Sequence, residues 1–499
     1  MTEFHGRRMV IAISAAVIVI VIAATAVYSM RDRLAKSDGG AALVLEAEDG
    51  VLYGTQAASA GSGFSGSGYV TDFIADDAEL TFQADGVQEG LYRAVIGYRA
   101  SGGEKYTELF LNEAPAGKVH LVSSSEFAEA AAGKLYLNAG SNTISLKRGW
   151  GYYDIDYIKL QKTKAEAAHK VQAELVNPNA TDEAKALMAF LADNFGKAVI
   201  SGQQDFGNIP WIEKATGKRP AIIGFDLIDY SPTRAENGAK SYEIETALTW
   251  NRIGGIVSFL WHWNAPTGLI NEPGKEWWRG FYTDSVTFDL EAALRDKESE
   301  EYKLLLRDID VIAGQLKILS MNKVPVLFRP LHEAEGGWFW WGAKGPEPAK
   351  ELYRIVYDRL VNKHELNNLI WVWNSVSPDW YPGDDVVDIV SYDSYPLPGD
   401  HSAVSNYYDQ LVELTGGTKL IAMMENGSIP DPDAMEQYGA HWSLFITWTG
   451  EFLEDGNHNS MEFIQKVYNH PNVITLDDLP AYIEKQKQKA EAEAGTTKK

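Results

Sequence analysis

The sequence predicts an α/β fold, a (β/α)8 barrel, preceded by an all-β sandwich, and three observations carry that prediction. From about residue 181, eight apolar runs of strand length alternate with amphipathic helical patterns over some 300 residues. Residues 41–161 instead hold short alternating runs separated by Gly, Ser and Asn, the texture of a sandwich. The competing architecture for the second part, a doubly wound open sheet, would carry a glycine-rich phosphate loop after its first strand, and none is present.

Taken in chain order, the first 30 residues read as a targeting segment. Arg7 and Arg8 precede the apolar residues 9–27, and Ala24-Thr25-Ala26 offers a small-residue cleavage site. The apolar run just reaches across a bilayer, and Arg31, Arg33 and Lys36 behind it suit a retained anchor equally well. Signal peptide or membrane anchor, the remainder is expected outside the cell, secreted or held at its surface.

Residues 41–161 supply the sandwich strands from LVLEAE, AELTFQ, LYRAVIGYRA, YTELFLN, KLYLN and NTISLK. Residues 162–180 are polar and Ala-rich and read as a linker or an entry helix. The barrel domain is placed at 181–487, with strands predicted at 198–202, 221–226, 255–263, 324–332, 368–375, 386–393, 419–426 and 443–448. Helical patterns fill several of the gaps, for instance 301–322 and 349–363. Residues 488–499 are expected to be a disordered tail.

Composition narrows the partners. A formal charge of −24 argues against nucleic acid or an anionic membrane surface, which require cationic patches. With no cysteine among 499 residues, disulfides and thiolate metal sites are excluded. The 15 Trp and 24 Tyr are either core or flat platforms for sugar rings.

The predicted strand ends carry Gln203, Gln204, Asp226, His262, His332 with Glu333, Asn374, Asp393, Glu425 with Asn426, and Trp448. In a barrel these ends converge on one face, where catalysis takes place. Glu333 ends the fourth predicted strand and Glu425 the seventh, so the two face each other across the mouth. Glycoside hydrolysis needs such a pair: one carboxylic acid protonates the leaving oxygen, and one carboxylate attacks or activates water. Either glutamate alone would be read as a solvated or ion-paired side chain.

The segment RPLHEAEGGWFWW closely resembles the acid/base segment of glycoside hydrolase family 26, which includes endo-β-1,4-mannanases. GGIVSFLWHWNAP, FYTDSVTFD, WVWNS with WYPGDDVVDIVSYDSY, and MMENGS match in the same order, over about residues 180–480. The resemblance implies a retaining mechanism with Glu333 as acid/base, Glu425 as nucleophile and no catalytic cofactor. It implies supporting roles for His332, which would bond the substrate 2-OH or the nucleophile, for His262 beside the cleaved bond, and for Tyr395 on the nucleophile. Trp338 and Trp448 would contact sugar, and Asp393 would contact substrate or serve as a buried ion-pair partner. Trp340 and Trp341 are left to the core, and Glu335 is given no role. Family sisters acting on mixed-linkage β-glucan or β-1,3-xylan are the nearest alternatives, and a barrel that only binds polysaccharide is a third.

The LEAEDG start, the GSGYV turn and the closing GWGYYDIDYIKL resemble carbohydrate-binding module family 35 over about 43–161. That resemblance implies a structural calcium. Glu46 and Glu48, read as alternating onto one strand face, and Asp156 on the last strand are its expected ligands. An exposed acidic strand face is the alternative. Trp150 and Tyr152 are the expected sugar platform, and the whole chain is expected to act as a monomer on β-mannan.

Overall fold

The computed structural model describes residues 42–103 and 105–479. The expected targeting segment and C-terminal tail lie outside the described residues. Among the described residues no helix is long and apolar enough to cross a membrane. The chain divides into two compact units, with the main changeover between Lys164 and Ala165.

Residues 43–162 form eleven strands: β1 (Leu43–Glu46), β2 (Val51–Tyr53), β3 (Gln56–Ala58), β4 (Tyr69–Thr71), β5 (Glu79–Val87), β6 (Gly90–Ala100), β7 (Lys105–Leu111), β8 (Ala114–Leu121), β9 (Ser124–Leu137), β10 (Gly140–Trp150) and β11 (Asp154–Lys162). They form two sheets, one ordered β3-β4-β11-β6-β9 with β1 also on β11, the other β2-β5-β10-β7-β8. Alternation puts Leu80, Phe82 and Ala84 of β5 and Ile144 and Leu146 of β10 inside, each fully or almost fully buried. β1 is shorter than the alternation of Glu46 and Glu48 suggested. It stops at Glu46, and Ala47–Asp49 forms a 3₁₀ turn that buries Ala47.

The second unit closes eight parallel strands into a barrel: β12 (Val199–Gln204), β13 (Ile222–Asp226), β14 (Ile256–Leu260), β15 (Val326–Arg329), β16 (Leu369–Asn374), β17 (Ile389–Ser394), β18 (Leu420–Asn426) and β19 (Leu444–Thr447). Pairing of β12 with both β19 and β13 completes the ring, and the two-residue β20 (Val473–Ile474) adds to β12 outside it. These strands are buried on both faces, which is why they read as unbroken apolar runs. The outer helices follow their stripes. In Glu300–Met321 the residues Leu305, Ile309, Ile312, Leu316 and Leu319 are buried at spacings of three and four. Its N-cap, Ser299, accepts from the N–H of Tyr302 at 3.1 Å.

Residues 165–180 contain neither helix nor strand. They lie along the barrel as extended chain: the His169 ring bonds the carbonyl of Lys419 at 2.7 Å, and Asp388 accepts the N–H of Val176 at 2.7 Å. The entry helix does not form, and the extended chain packs Ala168, Val171, Leu175 and Val176 against the barrel core.

Candidate active site

The acid turn departs from the sequence reading. β15 ends at Arg329, four residues before Glu333, so His332 and Glu333 stand on a turn rather than on the strand. Leu331 and Glu333 both take left-handed backbone, with φ of 55° and 53°. Strain of this kind persists only where surroundings impose it, and three contacts do so. Asn374 Oδ1 accepts the N–H of Glu333 at 2.8 Å, and the indole of Trp341 donates to the carbonyl of His332 at 2.9 Å. A Cβ on Gly342 would come within 1.8 Å of the Ala334 carbonyl oxygen, so only glycine lets the loop close there.

Glu425 lies inside β18 and is almost wholly buried. Pairing of β18 with β17 jumps from Tyr392↔Met423 to Asp393↔Glu425, leaving Met424 as a bulge. A bulge re-aims the side chains beside it, and here it brings Glu425 level with Asp393. Carboxylate oxygens of Glu333, Asp393 and Glu425 all lie within 4.8 Å of one another. By spacing alone this trio would suit a metal ion, but a cation of the protein's own is already among them. The buried Arg329 donates one guanidinium nitrogen to Asp393 and another to Glu425. Tyr395, just beyond β17, donates its hydroxyl to the other oxygen of Glu425 at 2.6 Å.

The two glutamates therefore have opposite surroundings. Glu425 receives two strong donors that stabilise negative charge. Among the described residues, the Glu333 carboxylate receives only the indole N–H of Trp338, at 3.0 Å. Burial first, and then the charge of Glu425, push Glu333 up to about 7, against the opposing pull of Arg329 and Trp338. Burial together with the Glu425 carboxylate also holds the Tyr395 hydroxyl well above its usual range, so it stays a donor.

The histidines form a chain of their own. Asp226, at the end of β13, accepts from the backbone N–H of His262 at 3.1 Å and faces its Nδ1 at 2.7 Å. His262 Nε2 lies 3.2 Å from His332 Nε2. Burial opposes charge on His262, but the Asp226 carboxylate outweighs it and raises the ring's affinity for a proton. His332 is driven well down by burial and then by Arg329, so its imidazole is neutral. Its ring meets His262 and not Glu425, so the expected bond to the nucleophile is not made. His332 Nδ1 has no protein partner among the described residues.

The aromatic run after the acid divides. Trp338 is 48% exposed and sits against Glu333, whereas Trp340 and Trp341 are buried. The Trp340 indole holds the carbonyl of Trp263 at 2.6 Å. Trp261, Trp263 and Trp373 are buried as well. Trp448 is half-buried at the end of β19, its ring 6.1 Å from that of His262. Asp393 is not placed as a sugar contact: both its oxygens are taken, one by Arg329 and one by Asn374, and only its ion-pair alternative fits. Glu335 is exposed and accepts a hydrogen bond from the Ser375 hydroxyl.

Sequence reasoning passed over Arg329 altogether, and gave no role to Asp226 or Asn374 beyond their strand-end positions. The available signal for Arg329 was a lone cation closing the apolar run VPVLF. A buried arginine there demands carboxylate partners.

In the first unit, the three expected metal ligands converge on the loop after Phe64. Glu46 accepts from the Ser65 hydroxyl at 2.5 Å, and Asp156 from the Ser65 N–H at 3.0 Å. Glu48 accepts from the N–H groups of Ser67 and Gly68 at 2.5 and 2.8 Å. Its second oxygen is buried with no hydrogen-bond partner among the described residues. Burial first, then Glu46 and Glu48, push Asp156 up to about 6. Glu46 and Glu48 reach this loop from a strand end and a 3₁₀ turn, not from one strand face. Trp150 and Tyr152 are 62% and 65% exposed, and Tyr152 lines a cavity of about 280 Å³ with Arg99 and Asp154.

Comparison with known proteins places this geometry. Residues 176–478 match the model of Glycosyl hydrolase family 26. The chain belongs to that family. Residues 43–163 match the model of Carbohydrate binding module (family 35), so the family 26 barrel follows a binding module. A mannan endo-1,4-β-mannosidase of Thermothelomyces thermophilus is 45% identical over 454 residues, 91% of this chain and 94% of its own. The crystal structure of a Podospora anserina β-(1,4)-mannanase with the same two domains is 44% identical, with a TM-score of 0.66, over 89% of this chain and 99% of that one. A β-mannanase from a symbiotic protist of the termite Reticulitermes speratus, solved with a gluco-manno-oligosaccharide, is 34% identical, with a TM-score of 0.57, over 63% of this chain and 99% of its own.

Proposed function

We propose that this family 26 glycoside hydrolase is an exported, retaining endo-β-1,4-mannanase acting on mannan, glucomannan or galactomannan. The observation that carries the mechanism is the close approach of Glu333 and Glu425, with oxygens within 4.8 Å and contrasting donor sets. Inverting enzymes hold their carboxyls about 6.5–9.5 Å apart to admit a water, and retaining ones about 5–5.5 Å. Mannan is preferred as substrate because the relatives at 45% and 44% identity are named for it and span nearly the whole chain.

In the first step Glu425 attacks the anomeric carbon while Glu333, protonated because its pKa is high, gives its proton to the departing glycosidic oxygen. A C–O bond breaks, and a glycosyl–Glu425 ester forms. In the second step Glu333, now a carboxylate, takes a proton from water as the water oxygen attacks the same carbon and frees Glu425. Arg329 and Tyr395 hold the nucleophile's oxygens, and the neutral His332 lies beside the acid, near the expected position of the substrate 2-OH. Exposed Trp338 and half-buried Trp448 offer rings to the apolar faces of the sugars.

In the module, Glu46, Glu48 and Asp156 would hold a calcium ion, which supplies charge neutralisation and a fixed loop geometry. The three carboxylates converge on one loop, and one buried oxygen of Glu48 has no hydrogen-bond partner among the described residues. A Cβ on Gly66 would fall 2.5 Å from the Glu48 carboxylate, so the loop approaches the trio as closely as glycine allows. Trp150 and Tyr152 would carry polymer binding, which tethers the barrel to its substrate.

Glu333→Ala and Glu425→Ala decide the mechanism. Each is expected to lower turnover on galactomannan by roughly 10²–10⁴-fold or more, with polymer retention unchanged. Azide should rescue Glu333→Ala and give a β-glycosyl azide; an α product would mean inversion. Wild-type hydrolysis by Glu425→Ala would overturn the assignment. Product sizing on mannan, galactomannan, lichenan and β-1,3-xylan tests the substrate and the internal mode of attack.

A further inference from the structure

We propose that Asn374 is the positioning residue that couples the two catalytic carboxylates, an inference that rests on Glu333 as acid and Glu425 as nucleophile. Asn374 closes β16 and is almost fully buried. Its carboxamide oxygen accepts the N–H of Glu333 at 2.8 Å. Its nitrogen donates to Asp393 Oδ1 at 2.9 Å and to the Ser391 hydroxyl at 3.2 Å. The partners dictate which end is which: a flipped amide would set oxygen against a carboxylate and NH₂ against a backbone N–H.

From Asp393 the connection continues without a gap. Its other oxygen binds Arg329, and Arg329 binds Glu425. The backbone of the acid and the carboxylate of the nucleophile are thus joined through Asn374, Asp393 and Arg329, on β16, β17 and β15. One half of the amide braces the left-handed turn that aims Glu333. The other half occupies the oxygen of Asp393 that Arg329 leaves free, which keeps Asp393, and through it the guanidinium, in place. A small misplacement of either carboxylate is costly: an error of about 1 Å can lower the rate about 10²-fold.

The two halves can be separated. Asn374→Ala removes both, while Asn374→Asp keeps an acceptor for the Glu333 N–H and replaces the donor to Asp393 by a repelling oxygen. An oligomannoside needs its leaving oxygen protonated; a 2,4-dinitrophenyl β-mannobioside does not. For Asn374→Ala, kcat/KM is expected to fall about 100-fold on mannopentaose but only about 10-fold on the dinitrophenyl substrate. For Asn374→Asp, whose acid arm is intact, both substrates should lose about 10-fold alike.

Either variant within threefold of wild type on both substrates would overturn the proposal. So would an equal loss on both substrates by Asn374→Ala, since a merely structural role only removes active enzyme. If Asn374→Ala does not fold, Asn374→Ser is read by the same ratio, because its shortened side chain also releases the Glu333 N–H. Glu425→Ala is the control: wild-type turnover there would fault the assignment of the nucleophile and not the role of Asn374.

Discussion

Two trios of carboxylates occupy the two units of this chain, and they are met by different kinds of partner. At the barrel mouth, Glu333, Asp393 and Glu425 crowd around an internal cation, Arg329, with Tyr395 and Asn374 filling further acceptor sites. In the sandwich, Glu46, Glu48 and Asp156 meet backbone N–H groups and serine hydroxyls, which are dipoles and carry no net charge. Arg329 is held between Asp393 and Glu425, while Glu333, which has no such ion pair among the described residues, is pushed up to about 7 by burial and then by the charge of Glu425. Among the described residues the sandwich trio has no such internal charge, and burial first, then the two glutamates, raise Asp156. Three close carboxylates with a cation built in suit the proposed catalysis, whereas three without one suit the proposed calcium ion.

The largest test of this contrast removes the built-in cation. Arg329→Met leaves Asp393 and Glu425 buried and facing each other, which should cost about 3–5 kcal/mol in a denaturant titration. It should also lower kcat about 10³-fold, through loss of a donor at the developing charge. A stable variant with wild-type turnover would dissolve the distinction between the two trios.

The next test concerns the sandwich. Calcium should raise the unfolding temperature of the module within the full chain by about 5 °C or more at saturation, and chelation should reverse this. Glu48→Gln should abolish the shift without changing kcat on a soluble oligosaccharide. A melt indifferent to calcium would leave the trio as an acidic patch.

A finer effect is expected in the pH profile. Glu333 must be protonated to act, and it is pushed up to about 7, so kcat/KM should fall as pH rises through about 7. The Trp338 N–H bonds the ionised form and so lowers this value. Trp338→Phe should therefore move the basic limb upward by roughly half a pH unit while keeping an apolar ring for sugar. A downward move would contradict the hydrogen bond seen here.

The smallest effect belongs to Trp150. Trp150→Ala should weaken retention on insoluble mannan about tenfold by loss of a stacking face, with hydrolysis of soluble oligomers unaltered. Unchanged retention would move the platform to Tyr152 and its cavity.

Much of the site was legible because barrel strands are buried on both faces. A polar residue ending such a run has few places to point, so Glu425, His262 and Trp448 stood out against apolar neighbours. The resemblance to family 26 then implied the roles of Glu333 and Glu425 and singled out Tyr395 and Trp338. What escaped was the wiring. Arg329 reads as one cation at a strand end, and its two carboxylates lie 64 and 96 positions away in sequence. Asp393 looked as suited to sugar as to an ion pair, and only the closed ring put a guanidinium against it. His332 was expected on the nucleophile or the substrate, yet its ring is turned toward His262.

By itself the sequence determined the order of the two folds and the eight staves and pointed to the two glutamates, because periodicity and residue type act locally along the chain. Tertiary structure decided how those glutamates differ. The left-handed turn at Glu333, the bulge at Met424 and the sharing of Arg329 arise only when strands far apart in sequence are brought side by side. Charge interactions depend on distance and burial, and neither is written in sequence spacing.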